Sequence, residues 1–236
     1  MDRNKNSYTF IYASVMVALV AGILSWVALA LKPAQQLNVD TETKQNILAA
    51  ANEHVSAADA DRIYGDKITA AYVVNSKGAK VDGDAFALCG QMKKQHALPE
   101  AERRLPVFEF KGTEGTKYIF PLYGAGLWGP IWGYIALNDD MSTIYGANFS
   151  HQSETPGLGA EISTEKFQAQ FKGKNIFEGE TLRSITVAKS NESAPAEYRV
   201  DAISGGTLTS KGLQAMLLSD LKSYEAFLKN HKSEEK

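Results

Sequence analysis

The stretch that says most about the fold is Asp201-Ala202-Ile203-Ser204-Gly205-Gly206-Thr207-Leu208-Thr209-Ser210. A strand-forming run at 197–200 precedes it. After it, apolar residues recur at the three- and four-residue spacing of an amphipathic helix: Leu217, Leu221, Tyr224 and Leu228. A small-residue turn at a helix start collects unpaired N–H groups and the positive end of the helix dipole, which suits a phosphate.

Four hydroxyl groups in this stretch are placed to hold such a phosphate, or to bond it through one oxygen: Ser204, Thr207, Thr209 and Ser210. Taken alone, the same residues are more often an ordinary helix N-cap, where Ser and Thr are favoured. Both interpretations stay open until the rest of the chain is considered.

The N-terminal region predicts a membrane anchor. No charged residue occurs from Asn6 through Leu31. Residues 8–31 as a helix would be about 36 Å long, enough for a hydrocarbon core of roughly 30 Å. The alternative is a cleaved signal peptide, because Ala28-Leu29-Ala30 has the small-x-small pattern of a cleavage site. Signal peptides have apolar runs of only about 7–15 residues, so we favour a retained anchor.

Charge predicts the orientation of this anchor. Arg3 and Lys5 precede the span, whereas Asp40 and Glu42 follow Lys32 on the far side. We therefore expect residues 1–7 in the cytoplasm, 8–31 as the transmembrane helix and 32–236 outside. The chain has a net charge of −2. A mildly acidic exterior domain argues against nucleic acid as a partner.

Neither the cysteine nor the histidines indicate a metal or disulfide site. Cys89 is the one cysteine, so no intrachain disulfide is possible, and we interpret it as buried and inert rather than catalytic. The four histidines are scattered along the chain without metal-ligand spacing. We expect no metal and no catalytic residue.

The patterns after the anchor predict a single α+β domain. Asp40 is placed to cap a helix over about 41–57. Alternation and turn signals predict strands at 68–74, 108–110, 116–122, 133–138, 142–149, 182–189 and 197–200. A short helix near 164–171 and a long one at 207–230 complete the prediction.

A glycine-rich segment carries the spacing of a dinucleotide fingerprint, Gly124-x-Gly126-x-x-Gly129. A helix should begin there, yet Pro130 and β-forming residues follow, so we reject a dinucleotide site. A hairpin packing two tryptophans is the better interpretation. Residues 127–132 are either a docking surface or the core of that hairpin.

Residues 151–159 form a loop by composition, with one proline and two glycines. Its exposed amides would suit the polar edge of a flat ring, and a purely structural turn is the equal alternative. His151 and Glu154 make at best a weak acid–base pair, because no third partner accompanies them.

The stretch before the last helix resembles the flavinylation motif, Asp followed by Ser/Thr-Gly-Ala-Thr, whose last Thr carries FMN through a phosphoester. Here the matching residues are Asp201 and Ser204-Gly205-Gly206-Thr207, so Thr207 is the expected acceptor. The chain departs from the motif at Gly206, where the family usually has Ala.

The combination of this motif, the Glu154-Thr155-Pro156-Gly157-Leu158-Gly159 loop and one anchor is similar to two families of respiratory proteins. They are the C subunit of the sodium-translocating NADH:quinone oxidoreductase and the G subunit of the Rnf complex. The segment 121–134 resembles the first of these families. The resemblance implies these flavin-binding residues: Thr207, Ser204, Gly205, Gly206, Glu154, Thr155, Pro156, Gly157 and Leu158.

The resemblance also implies the activity and the partners. Single electrons would pass through covalent FMN on Thr207, from an iron centre in membrane partners to the next flavin, within a six-subunit sodium pump. A flavin transferase would attach the FMN, and the domain would be periplasmic on the bacterial inner membrane. Alternatives are the flavoprotein of an Rnf-type complex, or an anchored FMN-binding regulatory module without electron transfer.

Overall fold

The computed structural model describes residues 6–113, 115–189 and 192–234. The chain divides into two compact units, the first ending at Glu42 and the second beginning at Thr43. Arg3 and Lys5, on which the predicted orientation depends, lie outside the described residues, as does Glu114 between the strands predicted at 108–110 and 116–122.

The first helix, α1 (Asn6–Ala50), is long and apolar enough to cross a membrane. Every residue from 9 to 39 is exposed, including large apolar ones such as Phe10 and Trp26. The predicted separate helix over 41–57 is wrong, because α1 continues to Ala50. Asp40 does not cap a new helix, since its carboxylate accepts a hydrogen bond from Gln36 Nε2 one turn earlier (2.8 Å).

Six antiparallel strands form the main sheet, in the order β2-β1-β3-β4-β5-β6. They are β1 (Ile68–Asn75), β2 (Lys80–Val81), β3 (Arg104–Gly112), β4 (Gly115–Ala125), β5 (Pro130–Asn138) and β6 (Ile144–His151). The predicted strands in this region are confirmed, each with slightly different ends. The predicted hairpin at the glycine-rich segment joins β4 to β5.

The other α-helices in the described part of the chain are α2 (Ala60–Lys67), α3 (Ala85–Cys89), α4 (Met92–Ala97), α5 (Glu165–Gln168) and α6 (Thr207–Glu234), and short 3-10 helices lie at Glu100–Glu102, Gly159–Ser163, Ala169–Phe171 and Ala196–Tyr198. Four short strands are β7 (Phe177–Glu178), β8 (Thr181–Leu182), β9 (Thr186–Ala188) and β10 (Arg199–Asp201). The single strand predicted at 182–189 is therefore wrong. Ser184 has φ +60°, which interrupts an extended chain and separates β8 from β9.

Both faces of the main sheet are covered, which confirms the predicted α+β class. On one face, Phe120 packs edge-on against Tyr224 of α6, with ring centroids 4.9 Å apart. On the other face, Ile119 belongs to a core that includes Ile47 and Leu48 from the last turns of α1. The alternation of Ile119 and Phe120 follows the two-residue period of a strand.

Close contacts fix α6 on the end of β4. Gly124 leaves room for Met216, and a Cβ at Gly212 would collide with the carbonyl oxygen of Ala125. The N–H group of Tyr123 donates to Oδ2 of the buried Asp220 (2.7 Å). The start of α6 is thereby held beside the tip of the β4–β5 hairpin.

Candidate functional site

The turn before α6 is built from short-range hydrogen bonds. Ala202 N–H donates to Ala188 O (2.8 Å) as β10 ends, and Gly206 N–H donates to Ile203 O (3.1 Å). Gly205 lies between them with φ +74°, a conformation that favours glycine. A Cβ at Gly205 would also lie 2.6 Å from Cδ2 of Leu158, so the loop before α5 packs directly on this turn.

The four hydroxyl groups of the turn are not equivalent. Thr209 and Ser210 are buried, and both are already used: Thr209 Oγ1 donates to Glu154 Oε2 (2.6 Å), and Ser210 Oγ accepts from Ile203 N–H (3.1 Å). Thr207 is half-buried and Ser204 is exposed. Among the described residues, none hydrogen-bonds to the hydroxyl of Thr207 or Ser204, so these two hydroxyls are available to a ligand.

The backbone at this point has donors to offer an anion. The first backbone hydrogen bond at the start of α6 runs from Ser210 N–H to Gly206 O (2.9 Å). The N–H groups of residues 207–209 precede it and lie at the positive end of a 28-residue helix. This is the arrangement expected of a phosphate site.

A cavity of about 130 Å³ opens beside Thr207. Four large apolar side chains on its wall are exposed: Leu127, Trp128, Leu158 and Leu208. Trp128 is 64% exposed and Leu208 is 59% exposed, although apolar residues of this size are normally buried. A flat apolar ring system held next to Thr207 would find surfaces for stacking here. The residues of the turn and the cavity therefore fit an FMN.

The carboxylate of Glu154 joins three parts of this site. Its Oε1 accepts a hydrogen bond from Trp128 N–H (2.8 Å), and its Oε2 accepts the one from Thr209. The side chain is only 5% exposed. A Cβ at either Gly126 or Gly159 would collide with the carboxylate, so both glycines provide space for it.

Thr207 also borders a second cavity, of about 530 Å³. Lys189, Asp201 and Ser204 supply polar groups to it, and Ala188, Ala202 and Ile203 supply apolar ones. Ser204, Gly205 and Thr207 line it together, whereas Gly206 lines only the smaller cavity. The Ser204–Thr207 turn thus borders both a mainly apolar cavity and one of mixed lining.

Only some of the loop residues 154–158 line the smaller cavity. Thr155 and Leu158 lie on the wall of the smaller cavity with Glu154, whereas Pro156 and Gly157 are exposed and are not among its lining residues. The N–H groups of Leu158 and Ala160 both donate to Thr155 O (3.1 and 3.2 Å), so they are already used within the loop.

His151 and Glu154 do not form an acid–base pair. Nδ1 of His151 accepts a hydrogen bond from the backbone N–H of Glu154 (3.2 Å), while the Glu154 carboxylate points to Trp128 and Thr209. The weak pairing considered from the sequence is wrong. The histidine instead orders the start of the loop.

Two further expectations concern Cys89 and the segment 127–132. Cys89 is half-buried rather than buried, and desolvation raises the pKa of its thiol to about 12, which agrees with an inert role. In the hairpin, Ile131 is fully buried while Leu127 and Trp128 are exposed, so the segment is part core and part surface. The prediction that it packs two tryptophans is wrong for Trp128.

Trp128 and Leu208 line the smaller cavity but were not among the site residues predicted from the sequence, and Thr209 was predicted only as one of the four hydroxyls placed to hold a phosphate. Leu208 could have been found from the sequence, because it is a large apolar residue that lies outside the apolar stripe of α6. Within the described ranges, no group of three His, Cys, Asp or Glu side chains is placed to hold a metal ion.

Comparison with known proteins agrees with this site. Residues 126–222 match the FMN-binding domain family, a range that includes the hairpin tip, the loop and the start of α6. The C subunit of the Na(+)-translocating NADH-quinone reductase from Pseudomonas aeruginosa is 31% identical over 92% of this chain and 94% of its own length. The corresponding protein of Vibrio anguillarum is 30% identical over 86% of each chain.

Solved structures extend the likeness to the fold. The crystal structure of the same reductase component from Parabacteroides distasonis superimposes with a TM-score of 0.77 at 46% identity. The match covers 84% of this chain and 96% of that one. From the sequence, the site and these relatives, the chain belongs to the family of the C subunit of the Na(+)-translocating NADH-quinone reductase, as the resemblance in its sequence predicts.

Proposed function

We propose that this protein carries FMN in a phosphoester bond to Thr207 and relays single electrons within a sodium-pumping NADH:quinone oxidoreductase. The observation that carries the proposal is the state of the Thr207 hydroxyl. It is accessible and unused among the described residues, whereas the neighbouring hydroxyls of Thr209 and Ser210 are buried and engaged. Thr207 also borders both cavities of the site.

The start of α6 would hold the phosphate. The N–H groups of residues 207–209 offer donors at the positive end of the helix dipole, and Ser204 offers a hydroxyl from the larger cavity. Gly205 and Gly206 keep the turn narrow, so the backbone can approach the phosphate closely.

The apolar wall would hold the ring. Trp128 and Leu158 offer an aromatic and an aliphatic surface close to Thr207, with Thr155 as a hydroxyl donor at the same wall. When bound, FMN supplies one-electron chemistry that no side chain of the protein provides. The protein's part is to tether, orient and partly shield the ring.

The membrane arrangement is part of the same proposal. α1 would cross the bacterial inner membrane once, with the N-terminus in the cytoplasm and the FMN domain in the periplasm. A flavin transferase would attach the FMN. This chain would join further membrane and flavin subunits in a complex of six subunits. The relatives bear the name of one component of a NADH-quinone reductase, which supports a multi-subunit assembly.

The attachment is tested by replacing single hydroxyls and reading flavin fluorescence on a denaturing gel. Thr207→Ala removes the proposed acceptor and should abolish the fluorescent band. The control Thr209→Val removes a neighbouring hydroxyl of the same kind and should keep the band. A fluorescent Thr207→Ala chain would place the flavin on another residue.

The relay is tested by comparing the chain alone with the chain in its native complex. We expect the isolated, flavinylated chain to be reduced by dithionite but to show no NADH:quinone turnover, because the Gly124–Gly129 segment forms a hairpin rather than a dinucleotide site. The complex should show that turnover. A self-sufficient isolated chain would contradict the relay, and absence of partner subunits from native preparations would favour a regulatory module.

A further inference from the structure

We propose that Glu154 is a positioning residue whose buried carboxylate sets the separation between Trp128 and Thr207. This inference rests on the proposed function, in which Trp128 lies against the flavin ring and Thr207 carries the phosphate. Trp128 is on the hairpin tip, and Thr207 begins α6. Since the two residues belong to different elements, a third group has to fix their distance.

Glu154 makes that connection with both of its oxygens. Oε1 accepts from Trp128 N–H (2.8 Å), and Oε2 accepts from the hydroxyl of Thr209 (2.6 Å). Thr209 is 1% exposed and lies two residues after Thr207 on the same helix, so it moves with Thr207 as one rigid body. The carboxylate of Glu154 thus connects Trp128 to α6, the helix that begins at the proposed attachment residue.

The surroundings of the carboxylate favour a single position for it. Gly126 and Gly159 approach from two sides, and a Cβ on either would collide with a carboxylate oxygen. Ser153, the residue before Glu154, makes a second hydrogen bond to the hairpin: its Oγ donates to Trp128 O (2.9 Å). Both backbone polar groups of Trp128 are therefore held by adjacent residues of one loop.

The link depends on hydrogen-bond geometry, which separates two substitutions at this position. In Glu154→Gln, the amide oxygen can accept from Trp128 N–H and the NH₂ group can donate to a rotated Thr209 hydroxyl, so both bonds survive. In Glu154→Ala, both bonds are lost. Thr209→Val removes only the bond to α6 and keeps the side-chain shape.

The test measures flavin emission of the native, full-length flavinylated chain, since a stacked indole quenches flavin fluorescence. Trp128→Ala should raise the emission, and Glu154→Ala should raise it to a similar level because the tryptophan is released. The double variant, with both Trp128→Ala and Glu154→Ala, should emit no more strongly than the brighter of these two single variants. Glu154→Gln should remain near wild type, Thr209→Val should be brighter than wild type, and the exposed control Glu165→Ala should be unchanged.

Each contrary outcome is informative. Unchanged emission in Trp128→Ala or Glu154→Ala overturns the proposal, and so does a Glu154→Gln chain as bright as Glu154→Ala. If Glu154→Ala fails to fold, Thr209→Val decides, because wild-type emission there means that the link to α6 does not position the tryptophan. Failure of the proposed function is a separate result: the wild-type chain would then show no covalent flavin on a denaturing gel.

Discussion

Nε2 of His96 on α4 lies 2.6 Å from Oδ1 of Asp220 on α6, and this pair joins the two helices beneath the hairpin. Asp220 is 2% exposed, and its second oxygen accepts the N–H of Tyr123 at the end of β4. Burial raises the pKa of Asp220, and the hydrogen bond from His96 offsets part of that rise. The carboxyl group is thus a buried titratable contact on the helix that begins with Thr207.

The raised pKa of Asp220 predicts a pH-dependent stability. Between about pH 4 and the raised pKa, the folded protein keeps a proton that the unfolded chain has lost, so the free energy of unfolding falls as pH rises through this window. Asp220→Asn cannot titrate and should flatten this slope in thermal unfolding of the full chain. The exposed control Asp61→Asn should keep it. Identical slopes in wild type and Asp220→Asn would contradict the assignment.

Substitutions at two glycines with the same backbone angle distinguish the cost of backbone strain from the cost of a steric collision. Gly205 and Gly157 both have φ +74°, but a Cβ at Gly157 meets nothing within 4 Å, whereas one at Gly205 meets Leu158. Gly157→Ala should cost about 1 kcal/mol from backbone strain alone. Gly205→Ala should cost more and lower the yield of flavinylated protein. Equal unfolding free energies for the two variants would mean that the turn or the Leu158 side chain shifts to make room for the added Cβ at little cost.

Leu158 provides a test of the apolar wall. Leu158→Ala should shift the flavin absorbance spectrum, because it removes a surface at the proposed ring position. Leu218→Ala is a matched control, since Leu218 is 47% exposed and Leu158 is 42% exposed, yet only Leu158 lines the cavity. Spectra that are identical in all three proteins would leave the loop a purely structural one.

The orientation of the anchor is tested by chemical labelling. A cysteine added after Lys236 should react with an impermeant maleimide in intact spheroplasts, because Arg3 and Lys5 are expected to hold the N-terminus in the cytoplasm. The chain without the added cysteine is the control, and the raised pKa of the half-buried Cys89 thiol keeps its own reactivity low. Labelling that requires lysis would reverse the proposed orientation.

Local patterns predicted the elements that depend on local forces. In β3, Phe108 and Phe110 lie two residues apart and belong to the same core, with the half-buried Glu109 between them. The apolar stripe of α6 follows directly after the small-residue turn. The start of α6 at Thr207 was therefore predictable. The continuation of α1 past Asp40 was not predictable, because the carboxylate of Asp40 bonds to Gln36 one turn earlier and does not cap a new helix.

Long-range contacts explain what the sequence could not predict. Glu154 is 26 residues from Trp128 and 55 from Thr209, so no local pattern reveals that its carboxylate is shared between them. From the resemblance of its loop it was expected to touch the flavin. Similarly, the motif resemblance singles out Thr207, but the sequence does not show that the hydroxyls of Thr209 and Ser210 are buried and already hydrogen-bonded.

Covalent attachment of FMN to Thr207 can be read from the intact mass of the full chain extracted from its native membrane. We expect the mass of the chain plus one FMN minus one water, with the added mass on the peptide that contains Thr207. Thr207→Ala should give the unmodified variant mass. A wild-type chain at its unmodified mass, or the same addition on another peptide, would rule out attachment at Thr207.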